Sequence, residues 1–369
     1  MRKETVIEYL YGVAVFLYCL PFYIWGVAWN LYFVATLSAI IGFVSIRHFK
    51  PVTWKEVFFV LSITLIQVHH YKEFNFHIAI NIVTVIFLVL TEHEKLASLL
   101  DKFKTVLCIS LLLSLVNWLL VSAIPVPYKI IEPLNALKQY NYSAYPFLVV
   151  ANDPMFSLRF HGMFDEAGVI GSIIPVLLFI DNYNLKSKRN LLLFICGLLS
   201  VSFYFMVFTA VYCMFKLKIK YTVSAILLCA GLYIGFKDNA MLKETLWWRF
   251  EIEDNKLKGD NRSEELLDDN FEDFTRSDDL LLGNPFFNVE DDAYYSSSYK
   301  MYIMEEGLIS FIVLVMAFAM YSFPNIENKK TYILYLFLFG SMMYQRPYIF
   351  AFMYMFILYS PIAYLQVKK

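Results

Sequence analysis

Long apolar runs dominate this chain of 369 residues and restrict it to folds that hold apolar side chains against lipid. Hydrophobic residues make up 59% of the sequence, charged residues only 17%, and the mean hydropathy is +0.55. A soluble domain of this length does not need so much apolar surface. We therefore expect an all-α, polytopic integral membrane protein that forms one domain over residues 1–369. The net charge of -1 provides no basic surface for nucleic acid.

Apolar runs mark the candidate membrane segments, because a spanning helix needs about 20 mostly apolar residues. Lysine and arginine follow every second run, and the side of the bilayer that collects them is the cytoplasm. The first group, Arg2 and Lys3, places the N-terminus there. The candidate runs cover about 5–25, 28–46, 56–70, 76–92, 104–124, 166–182, 191–215, 221–236, 301–323, 331–345 and 347–366.

One run, 191–215, breaks this alternation because basic residues flank both of its ends. It is either a tight hairpin of two short helices, with its turn near Ser200–Ser202, or one long tilted helix. The hairpin gives about 12 membrane segments and places both termini in the cytoplasm. Two extracytoplasmic loops then remain, 124–165 and 237–300. The first is rich in proline and mostly irregular, and the second carries 17 acidic against 8 basic residues.

The densest group of ionisable residues stands at the end of the first outer loop and comprises Arg159, His161, Asp165 and Glu166. Such groups cost a few kcal/mol each near the hydrocarbon, so they usually mark a site. If the segment is helical, Arg159, Gly162 and Glu166 share a face, with the carboxylates about 10 Å from the guanidinium. That spacing suits a phosphate at one end and a sugar hydroxyl at the other. The alternative is a solvated cap on the next helix.

Other candidate site residues lie on the same predicted face. Arginine is the side chain best suited to hold phosphate in a forked geometry, although the acidic outer loop also offers ordinary ion pairs. Tyrosines before the next helix suit sugar contacts or a membrane interface, and the glutamates beyond them suit an acceptor or a helix N-terminus. These residues are Arg249, Arg262, Arg276, Arg346, Tyr294, Tyr295, Glu305 and Glu306.

No metal or cofactor is expected. The three histidines His69, His70 and His77 have no supporting cluster of carboxylates or cysteines, so we interpret them as interfacial residues. All five cysteines lie inside apolar runs, which favours packing over disulfides or zinc. A phosphate-binding loop, a glycine-rich dinucleotide turn and a Gly-x-Ser-x-Gly motif are all missing from the sequence.

Taken in chain order, these features resemble the O-antigen polymerase family and the related O-antigen ligases. The first 120 or so residues match only as a set of membrane helices. The residues that carry the resemblance are Arg159-x-x-Gly162 with the acids after it, Ser200 and Ser202 in the hairpin, Arg249 and Arg262 in the outer loop, Gly283-Asn284-Pro285, Glu306-Gly307 and Gln345-Arg346-Pro347.

The resemblance implies a GT-C-like, metal-independent glycosyltransferase of the bacterial inner membrane, with its active site on the periplasmic face. Its donor would be a polyprenyl-diphosphate-linked oligosaccharide and its acceptor another lipid-linked repeat unit of O-antigen or a similar surface polysaccharide. A chain-length regulator is the implied protein partner. Direct displacement would invert the donor carbon. By position, Arg159, Arg249, Arg262 and Arg346 would hold the diphosphate, Glu166 or Asp165 would be the base, and His161, Tyr294, Tyr295 and Glu306 would contact the glycan.

A ligase and a flippase are the two alternatives to a polymerase. Ligases of this family carry a histidine near the helix that follows the large loop, where this chain has Tyr294–Ser298, and this difference favours a polymerase. A flippase of lipid-linked oligosaccharide belongs to another class and should show two related halves of membrane segments. The two long loops here are unequal, which favours an enzyme over a transporter.

Overall fold

The structure is a computed structural model. It describes residues 3–19, 29–46, 49–71, 76–132, 141–153, 159–216, 243, 251–253, 256–257, 265–284, 299–323, 325–326, 328–345 and 352–367.

Most of the described chain is helical, as its apolar runs predicted. The predicted run 221–236 lies outside the described residues. The helices are α1 Lys3–Tyr18, α2 Trp29–Ser45, α3 Trp54–Tyr71, α4 Phe76–Leu90, α5 His93–Ala123, α6 Ala167–Ile180, α7 Lys188–Leu199, α8 Phe203–Lys216, α9 Glu265–Thr275, α10 Tyr299–Ser322, α11 Lys329–Gln345 and α12 Phe352–Val367.

The hairpin predicted for residues 191–215 is confirmed. Helix α7 ends at Leu199 and α8 begins at Phe203, with Ser200–Ser202 between them. Val201 has a positive φ of 47°, so the chain reverses through a left-handed residue. Both helices pack on α6. The single tilted helix considered as the alternative is therefore wrong.

The two long loops that were predicted to be extracytoplasmic contain more regular structure than the sequence predicted. Three short antiparallel strands, β1 Lys129–Ile131, β2 Tyr142–Tyr145 and β3 Leu148–Ala151, form a sheet in the order β1-β2-β3. The strand pair β4 Ile252–Glu253 and β5 Lys256–Leu257 lies in the acidic loop. The all-α description therefore needs these two small sheets added, because their strands are too short to give a run of alternating residues.

Two of the described helices, α5 and α10, are long and apolar enough to cross a membrane, judged by length and composition alone. Several shorter helices are apolar as well, and α6, α8 and α12 are among them. About 12 membrane segments were expected from the sequence. This arrangement and the extracytoplasmic position of the loops stay predictions.

The described contacts divide the chain into two compact units. The first comprises residues 1–19, 28–106 and 262–369. In its core, the ring of Tyr11 packs against Phe87 and Phe356 with centroids 5.6 and 5.4 Å away. A second aromatic group joins α3, α10 and α12, where Phe59 meets the edge of Phe318 at 4.9 Å.

The second unit comprises residues 20–27 and 107–261. Its centre is α6, in which every residue from Val169 to Ile180 is buried. Phe179 contacts Phe208 and Tyr212 of α8 with centroids 6.3 and 6.4 Å apart. Near the other end of α6, Gly171 lies against Ser202 at the start of α8. Helices α6 and α8 therefore run in the same direction, and α7 returns between them.

Candidate functional site

Arg159 is held at the end of helix α7. Its Nε donates to the carbonyl oxygen of Ser200 over 3.0 Å, and the next backbone amide, that of Phe160, donates to Leu199 over 2.9 Å. The last carbonyls of a helix have no partner inside the helix and attract cations. Residues 159–160 therefore satisfy the end of α7, and the Nε bond fixes the plane of the guanidinium.

The segment Arg159–Glu166 is not helical, so the shared face predicted from helical spacing is wrong. Gly162 has a φ of +59°, and Glu166 is extended with φ -134° and ψ 135°. A turn is closed instead by the amide of Phe164, which donates to the carbonyl of His161 over 3.1 Å. Contacts with neighbouring elements set this shape and override local helix propensity. The predicted distance of about 10 Å from guanidinium to carboxylate assumed a helix, so it does not apply to this segment.

The small sheet of strands β1–β3 also holds this segment. The amide of Val149 in β3 donates to the carbonyl of Gly162 over 2.7 Å. Ser114 of α5 donates to Phe147, in the turn before β3, over 2.6 Å. A side chain at residue 162 would press against Ile170, and the positive φ also favours glycine. The segment is thus fixed by α5, α7 and β3 together.

The histidine and acids of this segment occupy different surroundings. His161 is only 3% exposed, and its ring lies 6.5 Å from that of Tyr142 in β2. Its predicted glycan contact stays a prediction. Asp165 and Glu166 are partly exposed. Glu166 precedes the first residue of α6 without making a side-chain capping hydrogen bond there. Both carboxyl groups therefore stand at the N-terminal end of α6, in the same unit as Arg159.

The start of α6 touches the hairpin turn through a glycine. A side chain on Gly171 would collide with Ser202, which is itself buried. This close approach brings the Ser200–Ser202 turn, and with it the Arg159 bond, against the first turns of α6. The sequence signal for it was the glycine inside an apolar run, which often marks close packing between membrane helices.

Gly171→Ala is expected to lower the unfolding temperature of the purified protein, because the new methyl group needs the space of the Ser202 side chain. Overpacking of this kind costs about 1–3 kcal/mol. The double variant Gly171→Ala, Ser202→Gly should recover most of this loss, since it removes the colliding atoms. Thermal unfolding in detergent measures both. Equal stability of the single variant and the unaltered protein would contradict the contact.

The first unit contains a second irregular feature, a break within α10. Gly307 has φ 85° and ψ 158°, values that no helical residue adopts. Residues of the loop before the helix form hydrogen bonds with backbone groups that the break leaves without a helical partner. The amide of Asn284 donates to the carbonyl of Met304 over 2.7 Å, and that of Ile309 donates to Leu281 over 3.2 Å. The sequence prediction of a helix beginning near Glu306 is therefore replaced by a helix that starts at Tyr299 and is interrupted.

Two glycines make this break possible. Gly283 also has a positive φ, 78°, and a side chain on either Gly283 or Gly307 would collide with the backbone of the other segment. Glu306 stands directly before the break and is 4% exposed. Tyr302, one turn earlier, is also 4% exposed. A buried carboxyl group at an interrupted helix is a common arrangement for binding polar ligands within membranes.

Sequence reasoning missed one long-range contact of this loop. His69 at the end of α3 lies 2.6 Å, through Nε2, from the carbonyl oxygen of Leu282. The interfacial position of His69 stays a prediction, and the residue joins two segments that are 213 positions apart in the chain. No local pattern encodes such a partner.

Several predicted site residues lie outside the described residues. They are Arg249, Arg262, Tyr294, Tyr295 and Arg346. Their roles stay predictions. Arg276 is described, and it makes an exposed ion pair with Glu272 four residues earlier on α9. This is the ordinary salt bridge that the acidic loop was expected to offer.

Among the described residues, no group of three or more histidines, cysteines, aspartates or glutamates is arranged to hold a metal ion. The chain matches no known family model, no curated protein and no solved structure.

Proposed function

We propose that this chain is a polytopic protein of the bacterial inner membrane, with both termini in the cytoplasm. Exposed apolar side chains on helices α3 and α5 support this placement. Leu61 and Leu65 are 54% and 68% exposed, and Ile109 and Leu119 are 56% and 57% exposed. Apolar surface of this extent normally faces lipid or a partner.

The hairpin would then place Arg159 inside the bilayer, below the periplasmic surface of the inner membrane. Helix α7 has 12 residues and α8 has 14, so they rise only about 18–21 Å from the basic end near Lys188. The hydrocarbon layer is about 30 Å thick. If the lysines mark the cytoplasmic surface, the Ser200–Ser202 turn and Arg159 lie within the outer half of the bilayer. Arginine at that depth is costly, which favours a functional role.

We infer that the reaction is glycosyl transfer between two lipid-linked glycans. A hydroxyl oxygen of the acceptor sugar attacks the anomeric carbon of the donor, and the bond from that carbon to the diphosphate oxygen breaks. The hydroxyl proton passes to a carboxylate, Asp165 or Glu166. Negative charge grows on the leaving diphosphate, so a fixed guanidinium beside it lowers the barrier. Inversion at the anomeric carbon follows from direct displacement.

The observation that carries this proposal is the Arg159 Nε bond to Ser200. It orients a guanidinium fork at the N-terminal end of α6, where helix amides also favour negative charge. Two carboxyl groups adjoin this end of α6, so a phosphate binder and a candidate base occur in one unit. The order of the motifs along the chain, which resembles that of the O-antigen polymerase family, also supports the proposal.

Deletion of the gene tests the function directly. In a strain that lacks this protein, the surface lipid core should carry a single repeat unit, because units are made and attached but are not joined. Gel electrophoresis of the surface glycan would show one short band in place of a ladder. Bare core would favour the ligase or the flippase, and an unchanged ladder would overturn all three functions.

A transporter of lipid-linked oligosaccharide is the second candidate, and the break at Gly307 favours it. Many transporters bind substrate where a membrane helix is interrupted, and a buried acid such as Glu306 often couples proton movement. The glycosyl-transfer proposal assigns Glu306 to glycan contact instead. In the deletion strain, single lipid-linked repeat units that accumulate on the cytoplasmic side of the inner membrane would identify the protein as a transporter.

A further inference from the structure

A pocket of about 430 Å³, lined by several charged residues, lies in the first unit. Its walls come from the loop before α3 and from the first turns of α3 and α5, together with the end of α10. The lining residues are Lys50, Pro51, Thr53, Trp54, Lys55, Glu56, His93, Tyr321 and Asn325.

The pocket has a rigid polar frame. Thr53 and Glu56 form a reciprocal cap at the start of α3, in which the amide and hydroxyl of Thr53 donate to Glu56 Oε2 over 2.8 and 2.9 Å. Lys50 forms an ion pair with Glu56 Oε1, and its Nζ lies 3.2 Å from Nε2 of His93. Glu56 is 4% exposed, so this frame is built into the fold.

The described residues of the lining carry a net positive charge. His93 stands at the first residue of α5, before the apolar part of that helix. Burial, followed by the positive charge of Lys50, lowers the pKa of His93 to about 4, so the ring is neutral at pH 7. Among the described lining residues, Lys50 and Lys55 then outweigh the carboxylate of Glu56.

A buried hydroxyl group also points to a ligand. Tyr321 lines the pocket, is 1% exposed, and its ring stacks on that of Tyr359 at 4.6 Å. The two hydroxyl groups are neighbours and interact with each other, and the Tyr321 hydroxyl has no further hydrogen bond within the described part of the chain. A hydroxyl group can donate one hydrogen bond and accept another, so a bound phosphate oxygen would give Tyr321 a second partner.

The mouth of the pocket continues into an apolar strip on α3. Lys55 lies over the ring of Trp54, with Nζ 5.7 Å from the ring centroid. Trp54, Val57, Leu61 and Leu65 are all exposed and follow one another at helical spacing of three or four residues. The pocket that holds the two lysines and the apolar strip thus adjoin, as a phosphate head group and its tails do.

We propose that this pocket binds the phosphate of an anionic phospholipid from the cytoplasmic leaflet, with the tails along the α3 strip. The lysines Lys50 and Lys55 belong to the side assigned to the cytoplasm by the distribution of basic residues, and that leaflet carries anionic lipid. Lys50, Lys55 and the hydroxyl of Tyr321 are the phosphate donors. The inference rests on the membrane placement proposed above but not on glycosyl transfer.

Native mass spectrometry of the full chain, released from detergent, tests the proposal with dioleoyl phosphatidylglycerol, dioleoyl phosphatidylcholine and inorganic phosphate as separate probes. Phosphatidylglycerol should bind one molecule per chain more tightly than phosphatidylcholine. Lys55→Ala should weaken this binding about five-fold, which corresponds to about one kcal/mol for a lysine near anionic lipid. Tyr321→Phe removes only a hydroxyl and should weaken it about ten-fold.

Lys330→Ala is the matched control, because Lys330 is exposed and does not line the pocket. It should leave the affinity unchanged. Equal binding of phosphatidylcholine, full occupancy by inorganic phosphate alone, or an equal loss in the Lys330 variant would overturn the proposal. None of these outcomes depends on glycan synthesis, and the glycan ladder tests the proposed function separately.

Discussion

Replacing Arg159 with alanine is expected to abolish chain extension while the protein remains inserted at normal abundance. The substitution removes the guanidinium proposed to stabilise the leaving diphosphate. Loss of one such donor costs about 100-fold or more in rate. Arg159→Lys should recover little, because lysine keeps the charge but has neither the planar fork nor the Nε that bonds Ser200. A gel of surface glycan from a complemented deletion strain measures the result.

Arg276→Ala is the control for this experiment. Arg276 is exposed and directly follows the last residue of α9, where it pairs with Glu272 of that helix, and an exposed pair contributes at most about 1 kcal/mol. The ladder should therefore remain. Arg159 also satisfies the end of α7, so the thermal stability of the purified variant must be measured alongside. A normal ladder with Arg159→Ala, or a loss explained entirely by low abundance, would contradict the phosphate role. Arg346→Ala, predicted from the sequence alone, should behave as Arg159→Ala does.

Gly307→Ala is expected to cause the largest loss of stability of any single substitution considered. The methyl group would meet the backbone of Leu281–Gly283, which cannot swing away as a side chain can. The positive φ adds strain for any L-residue. Together these effects should cost more than about 3 kcal/mol in the free energy of unfolding. Denaturant titration of the purified protein measures this, and Gly283→Ala should have a similar effect.

Gly340→Ala is the matched control with the opposite sign. Gly340 lies within α11 and is exposed, and none of the described residues outside its own helical turn comes within 4 Å of the place a side chain would take. Alanine is favoured over glycine inside a helix by about 1 kcal/mol. The variant should therefore be equally stable or slightly more stable. Equal destabilisation by the two substitutions would contradict the close backbone contact at the break in α10.

Much of the helical layout could be predicted from single runs of residues. The length of each apolar run set the approximate ends of helices such as α4 and α6, because helix formation depends on neighbours in sequence. Charge was equally informative for the hairpin. Basic residues at both ends of 191–215 favoured a reversal near Ser200–Ser202, and α7 and α8 show it.

The shape of the Arg159–Glu166 segment could not be obtained in this way. Its spacing allowed a helix, but its backbone partners are Val149 of β3 and Leu199 of α7, both remote in sequence. The same holds for the break in α10. Glycine at position 307 permits a positive φ, but the new partners of the freed backbone groups are Leu281 and Asn284, which precede the helix in sequence.

What the sequence determined and what the tertiary structure decided differ in the range of the interactions involved. Composition, run length and flanking charge are local properties, and they gave the helices, the reversal at the hairpin and the choice of Arg159 as a candidate. Three contacts join segments that are far apart in the chain. They are the hydrogen bond from Arg159 to Ser200, the close approach of Gly171 to Ser202, and the backbone contact at Gly307. Such contacts exist only after the helices pack, because packing selects which backbone groups and glycines meet.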